Sequence, residues 1–192
     1  MKKDIILAGV GGQGILSIAA AIGLAAVESG LYLKQAEVHG MSQRGGAVQS
    51  HLRISESEIA SDLIPVGACD MILSVEPMES LRYLPYLHAE GWIITSSNEV
   101  RNIPDYPDRE ELLAEIRNWR NHLIVDALGL ARDLGSGKVS NMVMLGAAYR
   151  YLDLSSECFR KAVSRLFGRK GPDVVNLNLL ALEAGQNAVK NP

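Results

Sequence analysis

Cysteine is scarce in this sequence, which contains only Cys69 and Cys158 among 192 residues. An iron–sulfur cluster is usually held by four cysteine thiolates, and structural zinc sites commonly use two to four. The count therefore excludes a cysteine-ligated cluster or zinc site within this chain. Two isolated cysteines also fit the reducing environment of the cytoplasm.

Positive charge is not in excess either. Nineteen lysine and arginine residues stand against 22 aspartate and glutamate residues, for a net charge of −3, which argues against nucleic acid as a primary partner. Apolar residues make up 47% of the chain, enough for an ordinary core without disulfides or metal. The length predicts a single domain over residues 1–192.

A membrane-spanning run is also missing. Residues 5–27 carry no charge, but a cluster of glycines interrupts them at residues 9–14. The remaining apolar stretch, residues 15–27, is shorter than the roughly 20 residues that a spanning helix needs. It predicts a helix buried on nearly all sides, in a cytoplasmic protein with no membrane partner.

The glycine cluster follows a short apolar, strand-like run at residues 5–8. It has the spacing G-x-G-x-x-G and consists of Gly9, Val10, Gly11, Gly12, Gln13 and Gly14. Glycines permit a tight turn and close backbone approach, and a helix N-terminus presents free N–H groups to an anion. Glu37, at the end of the next strand-like run, lies where a ribose-binding acid would sit. Two interpretations stay open: a dinucleotide site in a βαβ unit, or glycines that only let helix and strand pack tightly.

A polar loop, HGMSQRGG, follows at residues 39–46. Its candidate binding or interface residues are His39, Ser42, Gln43, Arg44, Gly45 and Gly46. In a βαβ unit this loop leaves the carboxyl edge of the sheet beside the glycine loop. Arg44 either pairs with Glu37 on a solvated rim or reaches a phosphate, a carboxylate or a partner protein. A Ser42–His39 nucleophile pair is disfavoured because no G-x-S-x-G turn surrounds the serine.

The rest of the chain alternates strand and helix patterns before turning wholly helical. Residues 47–54 predict a strand with a polar face, which residues 59–60 pair with as a hairpin. Further strands are predicted at residues 70–75, 92–95 and 122–125, and helices begin at Pro77, Asp108, Ser140 and Pro172. The pattern predicts an α/β fold with a mainly parallel sheet over residues 1–138 and a helical C-terminal third over residues 139–192. His51 and His88 stand alone, without metal-ligand spacing.

The two glycine-containing loops, in this order and spacing, resemble the gamma-type domain of the 2-oxoacid:ferredoxin oxidoreductases. Within that family the sequence is most similar to the small beta subunit of the indolepyruvate enzymes. The segment NMVMLG at residues 141–146 resembles a late helix of the same family. The resemblance therefore extends over nearly the whole chain.

The resemblance implies a Rossmann-like three-layer α/β/α domain with an added β-hairpin. It also implies a subunit without catalytic residues of its own, in a complex that turns a 2-oxo acid and CoA into acyl-CoA, CO₂ and reduced ferredoxin. Thiamine diphosphate, Mg²⁺ and the iron–sulfur clusters would belong to the large catalytic subunit, with ferredoxin an indirect partner. This chain alone would bind none of these cofactors.

Two classes of function therefore compete. The first is the small subunit, for indolepyruvate or for another 2-oxo acid such as pyruvate, 2-ketoisovalerate or 2-oxoglutarate. The second is a free-standing Rossmann protein that binds NAD or FAD at residues 9–14.

Overall fold

The computed structural model describes residues 1–39 and 45–189. In chain order the elements are β1 (Lys2–Val10), α1 (Ile15–Glu28), β2 (Tyr32–His39), β3 (Ala47–Ser55), β4 (Cys69–Ser74), α2 (Pro77–Arg82), β5 (Leu87–Ser96), α3 (Arg109–Asn118), β6 (His122–Val125), α4 (Ala127–Asp133), α5 (Ser140–Ala148), α6 (Ser156–Phe167) and α7 (Pro172–Ala188). Within these residues no helix is long and apolar enough to cross a membrane.

The strands form one sheet in the order β2-β3-β1-β4-β5-β6. β1, β4, β5 and β6 are parallel neighbours, whereas β3 is antiparallel to both β1 and β2. The predicted mainly parallel sheet is confirmed. The predicted βαβ unit is wrong in one respect: β2 runs in the direction of β1, but β3 lies between them.

The added hairpin consists of β2 and β3, not of β3 and residues 59–60. Those two residues form no strand; they belong to the segment between β3 and β4. Part of that segment covers β3 from one face: the backbone N–H of Ile64 donates to Nδ1 of His51 at 3.0 Å. The covering contact links positions 13 apart, so strand alternation alone could not reveal it.

Helices cover both faces of the sheet, which confirms the three-layer α/β/α arrangement. Alternate residues of β1 point to opposite cores, as strand geometry requires. Ile5 and Leu7 pack with α1 and the C-terminal helices, whereas Ile6 packs with residues around α2 and α3. Burial on both faces explains why β1 reads as a continuous apolar run rather than an alternating one.

Local signals placed most helix starts correctly. The Asp108 carboxylate accepts hydrogen bonds from the first turn of α3, and Pro172 lies in the first turn of α7, as predicted. Ser140 does not cap α5; Val139 holds the N-cap position and supplies no side-chain bond. The reason is a 3-10 turn, Gly137–Val139, that runs directly into α5 and is itself capped by Ser136.

The C-terminal helices lie on the same face as α1 and join its core. α5 and α7 approach so closely that their backbones touch. A Cβ at Gly146 would lie 2.0 Å from the carbonyl oxygen of Leu182, and one at Gly185 would lie 1.9 Å from that of Val143. Only glycine fits at these two positions. The boundary expected at residue 138 stays a prediction.

α1 is less enclosed than predicted. Ile18, Ile22 and Ala26 are buried against the sheet and the C-terminal helices. Leu16 is 48% exposed, however, and Val27 is 59% exposed. The expectation of a helix buried on nearly all sides is therefore wrong for one face.

Candidate functional site

The glycine loop links the carboxyl end of β1 to α1. Gly12 and Gly14 have φ angles of +99° and +80°, in the region that favours glycine, and Gly14 is the N-cap of α1. A Cβ at Gly9 would lie 2.4 Å from Cγ2 of Val75 and 2.9 Å from Cδ1 of Ile15. Glycine is required here for both backbone conformation and close packing.

The side chain of Gln13 braces this turn. Its Oε1 accepts from the backbone N–H of Val10 at 2.7 Å, and its Nε2 donates to the carbonyl oxygen of Val75 at 3.2 Å. One side chain thus joins the carboxyl ends of β1 and β4. The glycine pattern places Gln13 in the loop, but its bonding could not be predicted because Val75 is 62 positions away.

The end of the polar loop lies against the glycine loop. The N–H of Gly11 donates to the carbonyl oxygen of Gly46 at 2.8 Å, and the N–H of Gly45 donates to that of Gly11 at 3.4 Å. Asn102, between β5 and α3, donates through Nδ2 to the carbonyl oxygen of Gly45 at 2.8 Å. Three chain segments therefore meet at the carboxyl edge.

Four of the residues predicted in the polar loop fall wholly or partly outside the described residues. Ser42, Gln43 and Arg44 lie outside the described residues, as does the side chain of His39, whose backbone ends β2. Whether these residues bind a ligand or a partner stays a prediction.

Glu37 does not occupy the position expected of a ribose-binding acid. It pairs with Ser50 of β3, and Ser50 pairs with Leu7 of β1. Since neighbouring strands are about 4.8 Å apart, Glu37 lies roughly 10 Å from β1 instead of beside it. The inserted strand separates the two halves of the dinucleotide pattern.

Asn141 extends the site into the C-terminal helices. Its Nδ2 donates to the carbonyl oxygen of Gly14 at 3.1 Å, and its Oδ1 accepts from the N–H of Met142 at 3.0 Å. Sequence analysis placed Asn141 in the family-like segment 141–146 without assigning it a contact. The 127 positions between it and Gly14 explain why.

Glu76 is a buried acid at the carboxyl end of β4, directly before the helix start predicted at Pro77, and the sequence assigned it no role in the site. Its Oε1 accepts from the Tyr106 hydroxyl and, at 3.4 Å, from the N–H of Val100, while its Oε2 accepts from the N–H of Glu79 at 2.8 Å. Burial raises the pKa of Glu76, and these hydrogen bonds offset part of the rise. Glu76 thus anchors the segment that carries Asn102.

The polar face predicted for β3 is largely closed by contacts within the chain. His51 is 4% exposed and accepts from Ile64, and burial lowers its pKa. Arg53 bonds Asp4 through Nε at 2.7 Å and through Nη2 at 3.0 Å, and also donates to the carbonyl oxygens of Ser61 and Leu63. The side chains of His51 and Arg53 are therefore satisfied within the chain, whereas the buried Oε1 of Gln49 on the same face has no hydrogen-bond partner among the described residues.

No metal centre is evident in residues 1–39 and 45–189, where no three His, Cys, Asp or Glu side chains are close enough to hold an ion. Nε2 of His88 donates to Oδ1 of Asp70 at 3.1 Å, at the opposite end of the parallel strands from the glycine loop.

Fold and site together define a class: a Rossmann-like α/β domain whose glycine loop is braced by its own glutamine and whose first parallel pair is split by an inserted strand. The model of the pyruvate ferredoxin/flavodoxin oxidoreductase family matches residues 4–188. The chain belongs to this oxidoreductase family, and the resemblance seen in the sequence is confirmed.

Relatives cover the whole length. An indolepyruvate oxidoreductase subunit IorB of Archaeoglobus fulgidus is 34% identical, over 97% of this chain and 95% of that protein. A 2-oxoglutarate synthase subunit KorC of Methanothermobacter marburgensis is 29% identical, over 98% of this chain and 97% of that protein. Both relatives are named as subunits, one of an indolepyruvate oxidoreductase and the other of a 2-oxoglutarate synthase.

Solved structures share the fold. The gamma subunit of a keto/oxoacid ferredoxin oxidoreductase from Geobacter sulfurreducens has 27% identity and a TM-score of 0.68, with 99% of each chain covered. A 2-oxoglutarate:ferredoxin oxidoreductase from Magnetococcus marinus, with 2-oxoglutarate, coenzyme A and succinyl-CoA bound, has 20% identity and a TM-score of 0.79. This chain matches 31% of the Magnetococcus chain, and that likeness concerns the fold alone.

Proposed function

We propose that this chain is the small subunit of a 2-oxoacid:ferredoxin oxidoreductase that acts on an arylpyruvate such as indolepyruvate. The observation that carries the proposal is the full-length similarity to an indolepyruvate oxidoreductase subunit at 34% identity, against 29% for the 2-oxoglutarate synthase subunit. The complex would convert the 2-oxo acid and CoA into acyl-CoA and CO₂, with two electrons passing to ferredoxin.

Thiamine diphosphate, Mg²⁺ and the iron–sulfur clusters are assigned to the large catalytic subunit in this proposal. The residues of this chain do not fit a cluster, because two cysteines cannot supply four thiolates. Cys69 is also fully buried, and burial raises the pKa of its thiol to about 12, which disfavours the thiolate that a metal needs.

The glycine and polar loops are proposed to face the large subunit near its thiamine site. Their meeting at the carboxyl edge, through the bonds between Gly11, Gly45 and Gly46, supports a shared surface there. A contact with the phosphates of CoA is the second possibility for the same edge. The assembly role is favoured because the N–H of Gly11 is already bonded to Gly46 rather than presented to an anion.

Coexpression with the large subunit from the same organism tests the proposal. The complex should reduce ferredoxin with indolepyruvate and CoA, and do so faster than with pyruvate, 2-ketoisovalerate or 2-oxoglutarate. The isolated small subunit should contain no iron and show no turnover. Stoichiometric iron in the isolated chain, or a preference for a non-aromatic 2-oxo acid, would contradict the assignment.

A free-standing NAD or FAD protein is the competing function. The displacement of Glu37 by one strand and the bracing of the loop by Gln13 both argue against it. Calorimetry with NAD, NADP and FAD should show no binding in the micromolar range, and a micromolar constant for any of them would favour the competing class.

A further inference from the structure

α1 carries an apolar face that the rest of the described chain leaves open. Leu16, Ala20, Leu24 and Val27, here called the α1 stripe, fall within one side of the helix. Leu16 is 48% exposed and Val27 59%. Surface helices normally carry charged or polar side chains on the solvent side, but α1 has no charged residue before Glu28. A stripe of this kind indicates a surface that is covered in a larger assembly.

The stripe borders the free edge of the sheet. β2 is the outermost strand, so one row of its backbone hydrogen-bonding groups has no partner strand in the sheet. Leu33 and Gln35 of β2 line a groove of about 440 Å³ together with three residues of the stripe, Ala20, Leu24 and Val27. Gly23 permits this close contact, since a Cβ there would lie 2.9 Å from Cδ2 of Leu33. The groove runs between helix and edge strand and can accept a segment lying along β2.

The charge at the rim of the groove defines the occupant further. Arg165 of α6 reaches the groove, and its side chain is 69% exposed. Its carboxylate partner, Glu28, is 3.7 Å away, and no acidic residue lines the groove itself. An apolar segment that carries a carboxylate therefore complements this surface.

We infer that the α1 stripe, the β2 edge and Arg165 form the docking surface for the large catalytic subunit, which places an apolar segment with an acidic residue in the groove. The inference rests on the proposed function. The Magnetococcus chain, of which this fold forms 31%, joins the fold covalently to a longer polypeptide. A separate chain must instead hold its partner through a non-covalent surface, and the open stripe supplies one.

A second copy of this chain fits the groove less well. It would bring another uncharged stripe to the first and a second Arg165 to a rim that already carries that cation. A dimer of this kind has little charge complementarity, whereas an acidic segment of a different chain provides it.

The test compares two equivalent substitutions in titrations of purified small subunit into large subunit. Val27→Glu lies on the stripe, and Val66→Glu lies outside the groove at 70% exposure. Placing a carboxylate on the apolar stripe, against the apolar segment of the partner, should weaken binding roughly 100-fold for Val27→Glu, against less than about 2-fold for Val66→Glu. Arg165→Glu should weaken binding about 10-fold and reduce its dependence on salt.

The outcomes are distinguishable. Both valine variants should retain the wild-type melting temperature as isolated chains, because both side chains are more than half exposed. If wild type binds and restores turnover but Val27→Glu binds equally well, the docking surface is wrong while the proposed function stands. If wild type neither binds nor restores turnover, both fail. An isolated chain that dimerises in sedimentation, and loses the dimer with Val27→Glu, would overturn the inference in favour of a second copy.

Discussion

The two ends of the parallel strands, here called the amino-terminal and the carboxyl edge of the sheet, are closed by different kinds of contact. At the amino-terminal edge of the parallel strands the closing contacts are ion pairs of the Met1 amino group with Glu56 and of Lys2 and Arg53 with Asp4, together with a hydrogen bond between His88 and Asp70. At the carboxyl edge they are neutral amides and glycine backbone: Gln13, Asn102, Asn141, Gly11, Gly45 and Gly46. Two buried acids, Glu76 and Glu79, also lie on the carboxyl side.

The contacts at the two edges differ in how far they depend on the ionisation of side chains. Asp4 is buried and paired, so the amino-terminal edge resists opening but depends on ionisation. Amide groups donate and accept without titrating, so the bonds made by Gln13, Asn102 and Asn141 do not themselves depend on pH. A group at the carboxyl edge that can titrate is the Glu76 carboxyl, which anchors the segment carrying Asn102.

The largest expected effect is at the amino-terminal edge. Asp4→Ala should lower the free energy of unfolding by about 3 to 5 kcal/mol, because it leaves the half-buried Arg53 without its carboxylate. Urea denaturation measures the loss. Glu56→Ala, which removes an exposed partner of the Met1 amino group, should cost about 1 kcal/mol or less. Equal losses for the two would remove the contrast between buried and exposed pairs.

The next effect tests the carboxyl edge. Gly14→Ala should cost about 2 to 4 kcal/mol, since its φ is +80° and the new Cβ would lie 2.4 Å from Nδ2 of Asn141. Gly30→Ala is the matched control: its φ is +75° but no atom lies within 4 Å of its Cβ. Thermal unfolding should show a larger loss for Gly14→Ala. Identical losses would mean that the Asn141 side chain can move away from the new Cβ at no cost in stability.

A substitution at Gln13 should make the contact between the ends of β1 and β4 depend on pH. Gln13→Glu keeps the acceptor for Val10 but removes the donor to the carbonyl oxygen of Val75, at a cost of about 1 to 3 kcal/mol at neutral pH. The introduced carboxyl group should have a raised pKa, so the loss should shrink as pH falls and it protonates. Denaturation at pH 4 and pH 7 measures this. A loss independent of pH would contradict the role given to the Nε2 donor.

The smallest expected effect is on the decrease in the free energy of unfolding at acid pH, here called the acid limb. Burial alone would raise the pKa of Asp4, but hydrogen bonds from Arg53 and Lys2 outweigh it and hold the pKa below its usual value. A depressed carboxyl pKa stabilises the fold above about pH 4 and loses that contribution as pH falls further. Asp4→Asn should flatten this limb by at most about 1.4 kcal/mol per pH unit. An unchanged slope would assign the acid limb to other groups.

Contacts close in sequence were predictable, and those between distant segments were not. The Asp108 cap and the glycine loop follow from residues within a few positions of each other. The insertion of β3 between β1 and β2 depends on which strands pair with each other, and the alternating pattern of a single strand does not carry this information. The links from Gln13 to Val75 and from Asn141 to Gly14 likewise join positions 62 and 127 apart.

The inserted strand also governs how the chain folds as it leaves the ribosome. β1 is synthesised first, but its two neighbours in the sheet are β3 and β4. Its apolar run can therefore find no sheet partner until Ala47–Ser55 has emerged, whereas β2 and β3 can form a hairpin as soon as both are free. A nascent chain that stops before residue 47 therefore presents β1 without either of its neighbours in the sheet, as an unpaired apolar strand.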